Sequence, residues 1–249
     1  MKSLVRKFTP KFLSDGYRLY KRQKKQRQNR SKETEEVFTE IYENNIWGGV
    51  KGEFFSGPGS AHEAIVSPYV SKISKQARKE GFLGSTFVDL GCGDFYVGKQ
   101  LLPLCSSYIG VDIVKPLIIS HQKKYADSSA HFEHLNIVED ELPDGNVCFI
   151  RQVLQHLSNQ QIIAILQKLR KYNWVYITEG YPIDNDAIKA NIDKVHGSDV
   201  RVYLNSGVYL TEPPFELPRE ALRKVLEVPW VTEGNDQRVI RTFLYKPNS

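Results

Sequence analysis

The segment Thr86-Phe-Val-Asp-Leu-Gly-Cys-Gly-Asp-Phe95 narrows the fold more than any other ten residues of this chain. Phe87, Val88 and Leu90 form a short apolar run suited to a buried strand, and Gly91 and Gly93 let the backbone turn sharply and approach a ligand closely. A dinucleotide-binding turn would place a third glycine three residues after the second; Tyr96 stands there, and Gly98 comes too late. Asp94 occupies the place where a pyrophosphate needs the bare positive end of a helix, so its charge repels phosphate and suits a cationic ligand. Downstream, Tyr108-Ile-Gly-Val-Asp-Ile-Val114 reads as a second strand. Its Asp112 falls 19 residues after Gly93, at the spacing from which an acid holds two ribose hydroxyls. A nucleoside carrying positive charge meets both conditions.

Periodicity extends this start into an α/β pattern. Expected elements are strand 86–90, helix 95–104, strand 107–113, helix 115–125, strand 131–137, strand 146–153, helix 159–171 and strand 173–179. Ser158 with Gln161, and Ser60 with Glu63, have the spacing of capping boxes. Before the core, a helix is expected over 33–42. After residue 180 the pattern breaks until Pro218, and a stretch of that length suggests a lid. A helix over 218–227 and strands at 225–231 and 238–245 close the chain, with Gly234-Asn-Asp as a hairpin turn. The expected fold is a Rossmann-like, doubly wound, mostly parallel seven-stranded sheet with an antiparallel last strand and added N-terminal helices. Its expected parts are an arm at 1–30, a helical cover at 31–80, and a core at 81–249 with a lid at about 181–217.

With Asp89-Leu-Gly-Cys-Gly93 and Asp112 at linked spacing, the chain resembles the class I S-adenosylmethionine-dependent methyltransferases. That cofactor carries a sulfonium and an ammonium group, as the acidic glycine loop requires. The resemblance implies a cofactor site built from Asp89, Gly91, Cys92, Gly93, Asp94, Asp112, Ile113, Asn136, Ile137 and Arg151, with Asn136 beside the adenine. A plain Rossmann-like domain with an incidental acid is the alternative. Methyl transfer to an ordinary hydroxyl needs an aligned acceptor and a base. His156, just beyond the fourth strand, is the candidate base by its near-neutral intrinsic pKa; packing against the next helix is its competing role. Arg151 either holds an anionic group of the acceptor or pairs with an acid. Nitrogen-directed relatives carry Asn or Asp, two prolines and an aromatic residue at this strand end. Arg151-Gln-Val-Leu154 lacks them, which leaves oxygen as the acceptor atom.

The flanks resemble, more narrowly, a poorly characterised bacterial methyltransferase group found with polysaccharide-assembly genes. The shared patterns lie at Ile41–Gly48, Ser56–Ser60, Cys92–Phe95, Arg151–Leu157 and Pro214–Pro218. Gln152 departs from the usual Asp, and Tyr96-Val97 from the usual Asn or Tyr followed by Trp. The resemblance implies a sugar or glycan-precursor acceptor, with Trp47, Ser60, Glu63 and Arg151 as its binding residues.

Net charge is +5, yet residues 1–30 hold eleven Lys or Arg against the single acid Asp15, which leaves the remainder at −5. In this arm Leu4, Val5, Phe8, Phe12, Leu13, Leu19 and Tyr20 recur at helical spacing among the cations, a pattern suited to the inner face of an anionic membrane. Lys21–Arg30 would follow as a solvated spacer; a helix packed on the domain, or an arm for nucleic acid, are the alternatives. No run approaches the roughly 18 apolar residues of a membrane span, which implies a cytoplasmic protein with peripheral membrane contact at most. The three cysteines have no metal-ligand spacing, so no metal is expected. The competing functions are an RNA methyltransferase and a non-catalytic cofactor-binding partner of a glycan-assembly complex.

Overall fold

The computed structural model describes residues 11–230 and 238–247. Five parallel strands form its centre: β1 Thr86–Leu90, β2 Ser107–Asp112, β3 Ala130–His134, β4 Val147–Arg151 and β5 Trp174–Pro182. β7 Arg238–Tyr245 runs antiparallel to β5, and β6 Leu222–Pro229 pairs with β7, giving the order β3-β2-β1-β4-β5-β7-β6. Consecutive residues of β1 and β4 are buried, as a sheet covered on both faces demands. The covering helices are α4 Glu63–Glu80, the single turn α5 Gly98–Leu101, α6 Lys115–Lys124 and α7 Asn159–Lys168. Ahead of them come α1 Lys11–Asn29, α2 Thr34–Glu43 and the short α3 Pro58–Ala61. Strand order reverses between β1 and β4, and such a switch point opens a crevice at the strands' carboxyl ends.

Local chemistry explains where these elements stop. Ser158 and Gln161 cap α7 reciprocally, the Ser158 N–H donating to Gln161 Oε1 at 3.0 Å and the Gln161 N–H to Ser158 Oγ at 3.3 Å. A helix beginning at 95 does not form, because Phe95 has φ +62°, and Leu102–Leu104 tightens into a 3-10 turn around Pro103. β3 ends at His134, short of 137, since the Asn136 side chain accepts the Val138 N–H at 3.0 Å and closes a turn. β4 ends at Arg151, because Gln152 has φ +57°. α7 gives way to a 3-10 turn at Leu169–Lys171, and β5 runs on to Pro182.

Two expectations fail outright. Residues 222–227 form strand β6, not a helix. The register slips between Lys224 and Leu226, so Val225 is an extra residue; this bulge places Leu222, Val225 and Leu226 at a spacing that imitates a helix. The Ser60–Glu63 capping box is absent as well: Ser60 lies within α3, and His62 precedes α4 without a side-chain cap. The Lys21–Arg30 spacer is mostly helix, continuous with α1. Asn29 Nδ2 donates to His196 O at 2.9 Å, Lys25 Nζ to Ser198 Oγ at 2.9 Å, and the Arg22 guanidinium lies 4.1 Å from the Tyr203 ring centre. Leu4, Val5 and Phe8 of the arm, and the Gly234-Asn-Asp turn, lie outside the described residues.

Candidate active site

The carboxyl ends of β1, β2 and β4 open into a cleft of about 1060 Å³, solvent at its mouth included. Its floor is the glycine loop. Gly91 has φ +81°, and a Cβ there would come within 2.5 Å of Val153 Cγ2; at Gly93, φ +53°, a Cβ would come within 2.3 Å of Ser56 Oγ. Close packing above and below the loop therefore excludes any side chain at either position. Both faces of Gly93 are pinned: its N–H donates to Asp112 Oδ2 at 3.1 Å, and its carbonyl meets His121 Nε2 at 2.7 Å.

Three carboxylates line this floor. Asp112, at the end of β2, accepts the Gly93 N–H on Oδ2 at 3.1 Å and the Val114 N–H on Oδ1 at 3.0 Å, and the Ile113 N–H also supports the carboxylate. Asp89, at the end of β1, accepts the Tyr108 hydroxyl at 2.6 Å on Oδ2. Burial pushes its carboxyl up to about 6, against the pull of Tyr108 and Arg151. Asp94 faces the cleft with both oxygens engaged, Oδ1 by the Tyr96 N–H at 3.0 Å and Oδ2 by the Ser56 N–H at 2.9 Å. The Asp94 N–H in turn donates to Ser56 Oγ at 2.7 Å, and that hydroxyl lies 2.8 Å from Tyr42 Oη. This carboxylate is the floor half of a clasp to the segment above.

Residues from α2 to α4 form the opposing wall, with Phe38, Tyr42, Trp47, Ser56, Ser60 and Tyr69 on the cleft. Trp47 stands edge-on to Tyr42 with ring centres 5.3 Å apart. Arg151 joins this wall to the sheet, its Nη2 donating to Gly59 O at 2.8 Å while its buried Nε finds no partner among the described residues. Gln152 Nε2 also donates to Gly59 O, at 3.3 Å. Beyond Asp112, Ile113, Asn136 and Ile137 line the far end of the cleft. The loop that carries Asn136 is gripped by Lys168, whose Nζ donates to the carbonyls of Ile137, Val138 and Asp140 at 3.1, 2.8 and 2.7 Å. Of the residues singled out in the sequence, Glu63 alone stands apart: it is exposed and away from the cleft.

His156 lines the cleft, but its surroundings oppose a role as base. It is buried, 5.2 Å from Trp47 between ring centres, with Nδ1 3.1 Å from Gly197 O. A carbonyl only accepts, so the proton sits on Nδ1; Nε2 faces the Gln155 amide at 3.5 Å. Burial, helped by the Lys194 ammonium, lowers its pKa to about 3, and so weak a base draws little proton from a hydroxyl. Packing is the role this environment supports.

The turn bearing His156 is held by residues the sequence patterns did not single out. Glu179, fully buried within β5, accepts the N–H groups of Val153, Leu154 and Gln155 at 3.1, 2.8 and 3.2 Å. Burial pushes its carboxyl up to about 8, against those three bonds. On the carbonyl side, Lys194 Nζ donates to His156 O at 3.1 Å and Arg201 Nη2 to Leu157 O at 2.7 Å. The Glu179 carboxyl accepting at the amide end and the Lys194 and Arg201 donors at the carbonyl end satisfy both sides of this short 3-10 turn. Lys194 and Arg201 belong to the expected lid, and no residue of 181–217 lines the cleft; the segment braces the wall from behind. A glutamate in the apolar run Trp174-Val-Tyr-Ile-Thr-Glu179 was the available signal.

No protein-family model matches the chain, and no curated protein matches it in sequence. Among solved structures, an S-adenosylmethionine-dependent methyltransferase of Leishmania major is similar with a TM-score of 0.54 at 14% identity, over 85% of this chain and 81% of that one. Magnesium protoporphyrin IX methyltransferase of Synechocystis, with bound S-adenosylmethionine, gives a TM-score of 0.51 at 12% identity, over 86% and 98% of the two chains. At these identities the likeness is one of fold: a seven-stranded Rossmann-like sheet of the methyltransferase type.

Proposed function

We propose that the chain is an S-adenosylmethionine-dependent O-methyltransferase acting on a glycan or glycan precursor. The observation that carries this reading is one cleft lined by two buried carboxylates with acceptor capacity to spare and by the Arg151 side chain. Asp112 would take the ribose hydroxyls, Asp89 the ammonium and Arg151 the carboxylate of the methionine moiety. Gly91, Cys92 and Gly93 would lie beneath it, and Ile113, Asn136 and Ile137 beside the base. The cofactor, when bound, supplies an electrophilic methyl group on its sulfonium.

The charge of the lining supports a cationic cofactor and opposes a polyanion: among the described residues, Asp89, Asp94 and Asp112 face Arg151 as the one lysine or arginine on the cleft. A nucleic-acid acceptor would bring phosphates toward those acids. The aromatic wall of Phe38, Tyr42 and Trp47, with Ser60 and Gln152 as hydrogen-bonding groups, offers a sugar both a face and polar contacts. Arg151, tied to Gly59, positions that wall.

Calorimetry with S-adenosylmethionine, followed by transfer of its labelled methyl to lipid-linked and nucleotide-linked sugars beside structured RNA, tests the reading. Saturable cofactor binding with label in a sugar is the expected result. Label in RNA alone overturns the acceptor, and absence of cofactor binding overturns the whole.

A further inference from the structure

Helix α1 docks with the wrong face for an ordinary packed helix. Among the described side chains, those it turns to the domain are polar: Asn29 is buried on His196 O, Lys25 reaches Ser198, and Arg22 lies over Tyr203. Its outward side carries Tyr17 and Tyr20, exposed at 58% and 61%, together with exposed Lys21, Lys24 and Arg27. At about 100° per residue these five positions fall within roughly 60° of Lys24, on one stripe. The Lys21 ammonium sits 4.6 Å from the Tyr17 ring centre. A helix held by packing alone buries its aromatic residues and exposes its polar ones; here both tyrosines are left in water beside three cations.

We infer that this stripe is a docking face for an anionic lipid bilayer. Tyrosine has an amphipathic ring that settles at the headgroup level, and lysine and arginine beside it meet anionic headgroups. The helix would lie flat, its long axis in the membrane plane, as an interfacial helix does. In sequence, Lys2, Arg6 and Lys7 precede the helix and add the same sign of charge, with Leu4, Val5 and Phe8 among them. The docked polar side fixes the helix to the 196–203 segment, so the bilayer would be met by the whole domain in one orientation. This inference is independent of the chemistry assigned to the cleft.

Co-sedimentation of the full chain with phosphatidylcholine vesicles, with and without phosphatidylserine, tests it. Binding is expected only to the anionic vesicles and is expected to fall with salt as the Debye length shortens. Each cation near such a surface contributes roughly fivefold in partitioning, so Lys21→Gln, Lys24→Gln and Arg27→Gln together should lower binding by roughly 100-fold. Tyr17→Ser with Tyr20→Ser should weaken binding while keeping its salt dependence. An unchanged melting temperature and unchanged S-adenosylmethionine affinity in both variants would show that the domain is intact. Undiminished binding by the triple variant overturns the inference, as does equal binding to neutral vesicles. Retention of structured RNA by a parent chain that ignores anionic vesicles overturns it in favour of nucleic acid.

Discussion

A carboxylate held in place by backbone N–H groups is rigid and still able to accept, and Asp112 is in that state. Asp112→Ala removes the proposed ribose partner and is expected to weaken S-adenosylmethionine binding by on the order of 1.5–3 kcal/mol, read by calorimetry; unchanged affinity would refute the assignment. The place of Asp112 on the cleft was legible because its spacing from Gly93 follows from the length of one turn, helix and strand. The roles of Asp94 and His156 were not, because each is set by groups distant in sequence: Ser56 for Asp94, and Gly197 and Lys194 for His156. For His156 the sign of the pH effect is fixed. Its pKa falls from 6.5 to about 3 on folding, so below 6.5 the unfolded chain binds the proton and the folded chain does not. Its contribution is present in full above pH 6.5 and is lost as pH falls toward 3. Denaturant unfolding across this window should show the parent losing stability more steeply than His156→Gln, by on the order of a few kcal/mol at the acid end. Parallel curves would mean that the imidazole is not held neutral.

Among the elements, the turn from Val153 to Leu157 shows how a wall of the cleft is built by contacts from several directions. Glu179→Gln replaces a carboxyl that accepts three N–H groups with an amide whose NH₂ faces one of them, and should cost roughly 1–3 kcal/mol in urea unfolding. Because Val153 abuts the glycine loop at Gly91, cofactor affinity should fall in the same variant. A variant that lost stability but bound cofactor as before would show that the turn does not shape the floor. Strands β1, β2, β4 and β5 were legible because strands buried on both faces read as continuous apolar runs, and α7 because its capping box is local. β6 was not: it is an edge strand with a bulge, and one extra residue shifts the parity on which strand recognition rests. The 181–217 segment was visible only as an interruption, since Lys194 and Arg201 are spent on carbonyls that no periodicity announces.

Across the whole molecule, opposite charges occupy separate regions, with a basic helix on the outside and an acidic cleft within. This partition predicts that salt acts unequally, weakening attachment of α1 to charged surfaces while leaving cofactor affinity nearly unchanged, because buried pairs are screened little. Affinity measured at about 0.05 and 0.5 M salt checks this; a steep fall would place the cofactor's charges in open water. The clasp of Ser56 and Asp94 has a kinetic consequence. It joins the wall to the loop on which the cofactor would rest, and Gly48, Gly49, Gly52 and Gly57 between α2 and α3 all take positive φ, a backbone conformation that suits glycine. Exchange of the proposed cofactor would then wait on breaking two hydrogen bonds that have no part in bond making at the methyl group. Ser56→Ala should accelerate release of S-adenosylhomocysteine in stopped flow, and deuterium in the transferred methyl should leave the steady-state rate of the parent unchanged.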